Sequence, residues 1–292
     1  MWTKYKTTVL DNPWIKWKPL MTKDGRSPQL DFLLDDHFEV FYGGACGGGK
    51  SVALLAGALQ YVDQPRYNAI LFRRTITDLS LPDSLLDLAH QWLDGTDARF
   101  DSKNNSFIFP AKARLVFGYC DNQGDEQRYR GAQFQYIGVD ELTEWHESQY
   151  RFLFSRLRTC TSLDVPVRMR CASNPGGLGH AWVKQRFIIE SSKMDRRFIP
   201  AKIFDNPELN QELYLKSLMN LDPVRRAQIL DGNSEINPEG RKFQRGWFRI
   251  VKDCPKDIRV VRYWDKAATE PKRGKDPDYT VGVKGMMESF MF

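Results

Sequence analysis

The sequence has little cysteine and no long apolar segment, and both deficits narrow the class of protein. Its five cysteines are spread widely and none forms a C-x-x-C pair, so neither a zinc site nor a disulfide scaffold is indicated. No apolar run approaches the roughly 18 residues that a membrane span needs, and the first residues lack the apolar core of a signal peptide. We therefore expect a protein of a reducing, cytoplasmic compartment with no membrane partner.

The sequence also has no large excess of charged residues of one sign. The 292 residues include 43 Lys and Arg against 37 Asp and Glu, which gives a net charge of +6. Such a surplus permits a phosphate-rich partner such as DNA, but many basic proteins bind no nucleic acid. Hydrophobic residues make up 41% of the chain, which is enough for a globular protein with a buried core.

What is present is an alternation of two kinds of segment. Short apolar runs rich in aromatic and β-branched residues are separated by longer segments with helical spacing. Buried strands that alternate with helices predict an α/β fold, with a largely parallel central sheet flanked by helices. The predicted strands are residues 38–42, 68–72, 114–117, 134–139 and 165–172, and the predicted helices are residues 50–62, 77–93 and 147–157.

A glycine-rich segment, GACGGGKS at residues 44–51, has the spacing G-x-x-x-x-G-K-[ST] between a predicted strand and a predicted helix. Glycines let backbone N–H groups turn toward a phosphate, and the following helix directs its positive end to the same anion. This pattern predicts a P-loop that binds ATP and Mg²⁺, and the alternative is a plain glycine-rich turn. Lys50 would reach the β- and γ-phosphates, and the Ser51 hydroxyl would bind Mg²⁺. The predicted nucleotide contacts are Gly44, Gly47, Gly48, Gly49, Lys50 and Ser51.

A second run, residues 134–139, ends in two carboxylates, Asp140 and Glu141. Asp140, at the carboxyl end of the strand, would hold Mg²⁺ through the water shell of the ion, and Glu141 would orient and deprotonate the attacking water. The alternative is a solvated strand end whose acidic side chains cap the next helix. Together with the P-loop, the pair resembles the additional-strand, catalytic-glutamate class of P-loop ATPases, which includes RecA-like proteins and helicases.

The order and spacing of further motifs resemble the large terminase subunit of tailed bacteriophages, most clearly between residues 43 and 177. The segment 27–29 is similar to that family's adenine-recognising segment, which implies that Gln29 binds the adenine edge through its amide. The alternative for Gln29 is a surface side chain in a turn. Arg130, ahead of the acidic strand, is implied to act in trans on a neighbour's ATP. A surface salt bridge and a contact to DNA phosphate are the alternatives for Arg130.

The segment after residues 165–172 resembles the coupling motif of terminases. Ser173 and Asn174 are therefore implied to sense the γ-phosphate, and the alternative is an Asn-Pro-Gly turn. The P-loop departs from many terminases, because it has no arginine before its Gly-Lys pair. That departure makes Arg73 and Arg74, which follow a predicted strand, further candidates for the trans-acting arginine.

We expect three regions: a P-loop ATPase core at residues 1–200, a small helical lid at 201–255, and the start of a ribonuclease-H-like nuclease domain at 256–292. The lid keeps the family's glycine, Gly232, but lacks the aromatic residue that usually follows. In the last region, Asp265 at a strand end is implied to be the first metal-binding carboxylate of the nuclease. This region is far shorter than a closed nuclease fold. We therefore expect that this chain alone does not cut DNA.

The resemblance implies a viral DNA-packaging motor that hydrolyses ATP to move double-stranded DNA into a procapsid. It implies four partners: double-stranded DNA, a portal protein, a small terminase subunit, and further copies of the chain in a homo-oligomeric ring. The implied location is the host cytoplasm, with transient docking on the procapsid. A RecA-like helicase or another DNA-dependent ATPase is the alternative. A non-catalytic docking protein is a third possibility, against which Lys50, Asp140 and Glu141 argue.

Overall fold

A computed structural model of the chain describes residues 6–19, 21, 25–190, 195–206, 209–221, 226, 229–230, 232, 259–265 and 281–287. The chain divides into two compact units, Met1–Pro238 and Glu239–Phe292. No helix in the described ranges is long and apolar enough to cross a membrane.

The first unit is built on one eight-stranded sheet with the order β3-β4-β5-β2-β6-β7-β1-β8. Its strands are β1 (Glu39–Gly44), β2 (Asn68–Arg73), β3 (Arg99–Asp101), β4 (Ser106–Ile108), β5 (Arg114–Tyr119), β6 (Tyr136–Val139), β7 (Arg168–Ser173) and β8 (Arg196–Ala201). Strands β5, β2, β6, β7, β1 and β8 pair in parallel, whereas β3 and β4 add an antiparallel edge. The largely parallel sheet predicted from the sequence is confirmed.

Helices and short helical turns cover the sheet. The α-helices are α1 (Pro28–Leu34), α2 (Lys50–Leu59), α3 (Ile76–Ser80), α4 (Leu85–Leu93), α5 (Glu147–Phe154), α6 (His180–Lys184) and α7 (Gln211–Leu218). Single 3-10 turns lie at Asp125–Tyr129, Leu142–Glu144 and Ile203–Asp205, and π-helical turns lie at Lys6–Leu10 and Gln185–Ile189.

The core lies on both faces of the sheet because neighbouring residues of a strand point to opposite sides. In β2, Leu71 belongs to the apolar cluster that packs under α1, α2 and α4, whereas Ile70 and Phe72 belong to the cluster around α5. Helices on both faces leave the carboxyl ends of the parallel strands at one edge, where loops can carry a site.

Some predicted elements differ from the observed ones. The single helix predicted over residues 77–93 is wrong, because α3 and α4 are separated at Leu81 and Pro82. Proline disfavours helical geometry in the residue before it, and Leu81 is extended with ψ 154°. The helices predicted from residues 50 and 147 begin as expected and end at Leu59 and Phe154.

Strands β3, β4 and β8 carry no clear signal in the sequence. Strands β3 and β4 have three residues each, too few for a periodic pattern. Strand β8 begins with two arginines and contains Pro200, which is tolerated because this strand is at the edge of the sheet.

The second unit contains one antiparallel pair in its described part. Strands β9 (Arg259–Asp265) and β10 (Val281–Met287) pair with Val281 opposite Asp265. A strand therefore ends at Asp265, as expected from the sequence. The side chain of Asp265 lies outside the described residues, so its role as a metal ligand and the nuclease domain stay predictions.

Candidate active site

The P-loop connects β1 to α2 at the carboxyl edge of the sheet. Gly44 ends β1 with φ 130°, and a Cβ atom there would collide with the carbonyl oxygen of Ala201 in the adjacent strand. Gly47 and Gly49 have φ values of 76° and 69°. Only glycine adopts these conformations without strain, so the glycine spacing is a backbone requirement at these three positions.

Two buried side chains hold carbonyl groups of the P-loop from outside. The Tyr42 hydroxyl donates to the carbonyl oxygen of Gly48 at 2.8 Å, and the Gln29 amide donates from Nε2 to that of Gly49 at 3.0 Å. Because each carbonyl is turned away from the loop centre, the N–H groups can line a concave anion-binding site. Tyr42 supports the predicted site and has no distinguishing motif, so the sequence did not identify it.

Gln29 is buried within α1 rather than on the surface, so the alternative of a surface glutamine in a turn is wrong. Its neighbour Ser27 caps the helix by accepting a hydrogen bond from the N–H of Leu30. A bidentate contact to adenine would use Oε1 and one hydrogen of Nε2, and the other Nε2 hydrogen can donate to the Gly49 carbonyl. The adenine contact stays a prediction, whereas the contact to the P-loop is observed.

The region predicted to form the lid contacts the P-loop directly. Asn206 donates from Nδ2 to the carbonyl oxygen of Gly47 at 2.6 Å, and the N–H of Cys46 donates to the carbonyl oxygen of Ile229 at 3.1 Å. Gly232, with φ 61°, lies so close that a Cβ atom would be 2.7 Å from Cα of Gly44. This close approach of the lid backbone to the P-loop explains why the position needs the glycine that the terminase pattern retains. Within this region, α7 begins at Gln211.

Lys50 begins α2 and is buried, and its ammonium group donates to the carbonyl oxygen of Ala45. Burial lowers the pKa of Lys50, whereas the carboxylates of Glu141 and Asp140 raise it. The ammonium group thus lies inside the loop, facing the carboxylates of the second motif.

The hydroxyl of Ser51 and the carboxylate of Asp140 converge from the P-loop and from β6. Ser51 Oγ donates to Oδ2 of Asp140 at 2.9 Å, and the Asp140 side chain is 2% exposed. Hydroxyl and carboxylate oxygens are ligands that Mg²⁺ prefers. The donor set therefore fits the predicted metal site, although no cluster of three or more acidic, His or Cys ligands occurs in the described ranges.

Glu141 follows β6 with a left-handed backbone, φ 51° and ψ 50°. This conformation is uncommon for a residue with a side chain and often marks a functional position. Burial raises the pKa of Glu141, as does the Asp140 carboxylate, whereas Lys50 and Arg73 lower it. The Glu141 side chain is 33% exposed and borders a cavity of about 360 Å³. A carboxylate with these surroundings can act as a general base toward a water in that cavity.

Ser173 and Asn174, at the end of β7, lie beside Glu141. Ser173 Oγ donates to Oε2 of Glu141 at 3.3 Å, and it lies 2.7 Å from Oγ1 of Thr143. Thr143 also donates from Oγ1 to the carbonyl oxygen of Asn174 at 3.1 Å. The sequence did not single out Thr143, because a threonine after an acidic pair has no distinctive spacing. These contacts join the ends of β6 and β7.

The amide oxygen of Asn174 is buried and accepts no hydrogen bond from the described residues. Asn174 lines the same cavity as Glu141. A buried acceptor without a hydrogen-bond partner destabilises the folded chain.

The three candidate arginines differ in how they are held. Arg73 bonds the Asp140 carboxylate, and Arg74 donates from Nε to the carbonyl oxygen of Asp121 at 3.0 Å and from Nη1 to that of Glu144. Arg130 follows a 3-10 turn, is exposed, and has no side-chain hydrogen bond or ion pair within the described ranges. Arg73 and Arg74 are thus anchored by hydrogen bonds, whereas the Arg130 side chain is exposed, and which of the three acts in trans stays a prediction.

The family description "Terminase large subunit, T4likevirus-type, N-terminal" matches residues 41–250, more than half of the chain. The chain belongs to the terminase large subunit family. Comparison with curated proteins finds no significant match.

Solved terminase structures share the fold of this terminase. A large terminase from a thermophilic bacteriophage, solved in several crystal forms, aligns with a TM-score of 0.60 at 16% identity, over 74% of this chain and 54% of that one. The HK97 bacteriophage large terminase aligns with a TM-score of 0.52 at 9% identity, over 75% of this chain and 53% of that one. The large terminase ATPase domain of Thermus phage P74-26 aligns with a TM-score of 0.50 at 12% identity, over 74% of this chain and 94% of that one.

The terminase described here spans about half the length of the first two of these proteins. The first, from the thermophilic bacteriophage, has also been solved with ADP and with ATP-gamma-S, and these structures align with TM-scores of 0.58 and 0.55. Together the alignments establish the P-loop ATPase fold predicted from the sequence.

Proposed function

We propose that this terminase hydrolyses ATP and uses the hydrolysis to move double-stranded DNA into a viral procapsid. The observation that carries the proposal is the convergence of Ser51, Asp140, Glu141 and Ser173 beside a P-loop whose Gly48 carbonyl is held by Tyr42. Membership of the terminase large subunit family supports the link to packaging.

The nucleotide would lie between the P-loop and the lid. Backbone N–H groups and the Lys50 ammonium would bind its phosphates, as the positive end of α2 faces the same place. The complexes of the thermophilic bacteriophage terminase with ADP and ATP-gamma-S support nucleotide binding by this chain. Ser51 and Asp140 would hold Mg²⁺, which when bound neutralises charge on the β- and γ-phosphates.

Glu141 would orient a water in the cavity and accept its proton as the water attacks the γ-phosphate. Its raised pKa makes this carboxylate a stronger base. Ser173 and Asn174 would respond to the γ-phosphate, since Ser173 bonds Glu141 and Asn174 lines the cavity. Arg130 of a neighbouring copy would stabilise the charge of the transition state.

The partners and the location are proposed on the same basis. Double-stranded DNA would be bound mainly through its phosphates, which the net charge of +6 permits. A portal protein, a small terminase subunit and a ring of copies of this chain complete the proposed motor. It would work in the host cytoplasm while docked on a procapsid.

The test begins with ATP turnover by the purified chain, its Lys50→Ala variant and its Glu141→Gln variant. Loss of a general base lowers the rate roughly 10²- to 10⁴-fold, and Glu141→Gln keeps the size of the side chain while removing that base. Unchanged turnover in both variants would exclude the assigned site.

A second measurement separates a packaging motor from a helicase. ATP turnover is compared with double-stranded and single-stranded DNA, and DNA protection from added nuclease is measured with procapsids. Stimulation by the duplex and protection of the DNA are expected. A preference for single strands, through stacking on aromatic side chains, would favour the helicase alternative.

A further inference from the structure

A fixed positive charge lies beside the two carboxylates of the site. Arg73 ends β2, and because Phe72 is in register with Val139 of β6, Arg73 faces Asp140 across the sheet edge. Arg73 donates to Oδ2 of Asp140 from Nε at 3.0 Å and from Nη2 at 2.9 Å, and Nη2 lies 4.0 Å from Oε1 of Glu141. The Arg73 side chain is 19% exposed, so water screens this pair only in part.

The guanidinium and the metal site share one atom. Oδ2 of Asp140 accepts the hydrogen bonds of Arg73 and also that of the Ser51 hydroxyl. Any divalent cation held by Ser51 and Asp140 would therefore meet a guanidinium that already occupies the same oxygen. Two positive charges on one carboxylate compete for its lone pairs and repel each other.

The contacts of Arg73 are all within its own chain. Besides Asp140, it donates from Nη1 to the carbonyl oxygen of Asp78 at 3.4 Å. These contacts fix the guanidinium toward the interior of the site. The trans-acting role that the sequence left open for Arg73 stays a prediction.

We propose that Arg73 is a positioning residue that competes with Mg²⁺ for the Asp140 carboxylate and so sets the metal affinity of the nucleotide site. The proposal rests on the proposed function, because it requires that this site binds a nucleotide with Mg²⁺. Without the metal, Arg73 balances the charge of Asp140 and Glu141 and holds both side chains in place.

The experiment titrates Mg²⁺ into the purified chain in the presence of a fluorescent ADP analogue and compares the wild type with Arg73→Gln and Arg73→Lys. Arg73→Gln removes the competing charge, so half-saturation is expected at a Mg²⁺ concentration roughly three- to ten-fold lower, the range of a partly buried charge coupling. Arg73→Lys keeps the charge and is expected to remain close to the wild type.

The matched control is Arg74→Gln, which removes the same charge from the next residue and from the same cavity. Arg74 bonds carbonyl groups rather than the carboxylates. The half-saturating Mg²⁺ concentration of Arg74→Gln is therefore expected to differ from the wild-type value by less than about twofold. Thermal unfolding of each variant reports whether it is folded. Arg73→Met is the second neutral variant if Arg73→Gln does not fold.

Several results would contradict the inference. If Arg73 only supported the structure of the site, Arg73→Gln would disorder the site instead of removing a competitor of Mg²⁺. The half-saturating Mg²⁺ concentration of this variant would then be unchanged or higher than that of the wild type. An equal effect in Arg74→Gln would show a general loss of charge instead of a specific contact. A wild type that binds no ADP analogue at any Mg²⁺ concentration would overturn the proposed function as well.

Discussion

The hydroxyl of Tyr42 donates a hydrogen bond of 2.8 Å to the carbonyl oxygen of Gly48, in the middle of the P-loop. Tyr42 is fully buried, and burial raises the pKa of its hydroxyl, so the group remains a donor at neutral pH. The strand that ends in the P-loop thus also orients the loop through one of its side chains.

We expect Tyr42→Phe to weaken ATP binding and to lower the free energy of unfolding by about 1–3 kcal/mol, because it leaves the buried Gly48 carbonyl without its donor. Calorimetric titration and denaturant unfolding measure the two effects. The control is Tyr67→Phe, which removes a buried hydrogen bond to the Ala58 carbonyl at 3.1 Å. It is expected to lose stability without losing ATP affinity, and equal losses of affinity would contradict the role of Tyr42.

Gln29 is expected to act mainly through the P-loop, since its Nε2 bonds the Gly49 carbonyl. Gln29→Ala should therefore weaken ATP and GTP binding by similar factors, with the ratio of the two affinities changing less than about threefold. Competition binding with both nucleotides measures the ratio. A selective loss of ATP binding would instead favour the adenine contact implied by the family resemblance.

Arg130→Ala is expected to lower the ATP turnover of the assembled motor by roughly 10³- to 10⁵-fold, as for other trans-acting arginines. Mixing Arg130→Ala with Lys50→Ala chains should restore part of the rate, because each Lys50→Ala copy still offers Arg130 to a neighbour. Arg128→Ala is the control, since Arg128 pairs with Asp125 in its own chain. Failure of the mixture to recover turnover would argue for a role within one chain.

Gly232→Ala is expected to separate the lid from the P-loop and weaken nucleotide binding. A Cβ atom there would lie 2.7 Å from Cα of Gly44 and 2.8 Å from the nitrogen of Ala45, and backbone atoms cannot yield as a side chain can. Gly95→Ala is the matched control, because Gly95 has φ 75° and no atom within 4 Å of such a Cβ. Both variants bear a left-handed strain of about 1–2 kcal/mol, so a similar nucleotide affinity in the two would refute a lid contact.

The parts of the site that could be predicted are those encoded by neighbouring residues. The P-loop needs glycines at fixed spacing, and the pair Asp140 and Glu141 follows an apolar strand, so both are visible without a structure. The roles predicted for Ser51 and Asp140 on one Mg²⁺ also require that the two motifs meet. Their meeting is observed in the contact of Ser51 with Asp140.

The parts that could not be predicted depend on contacts between distant segments. Thr143 and Asn206 are ordinary residues of a turn and a loop, and only the folded chain brings them to β7 and to the P-loop. Tyr42 is close to the P-loop in the sequence, but a tyrosine in an apolar strand has no spacing that marks its contact with Gly48. The contact of Arg73 with Asp140 could likewise not be predicted from the sequence, because it depends on β2 lying next to β6. Sequence spacing gives the chemistry of each motif but not the neighbours that orient it.

The P-loop is bonded on one side to the sheet and on the other to the lid. The N–H of Ala45 donates to Ala201 in β8, whereas the next residue, Cys46, donates to the carbonyl oxygen of Ile229. Two adjacent peptide groups therefore link strand β8 to the lid, so that a shift of one is transmitted to the other. We therefore expect nucleotide binding in the P-loop and movement of the lid to be coupled.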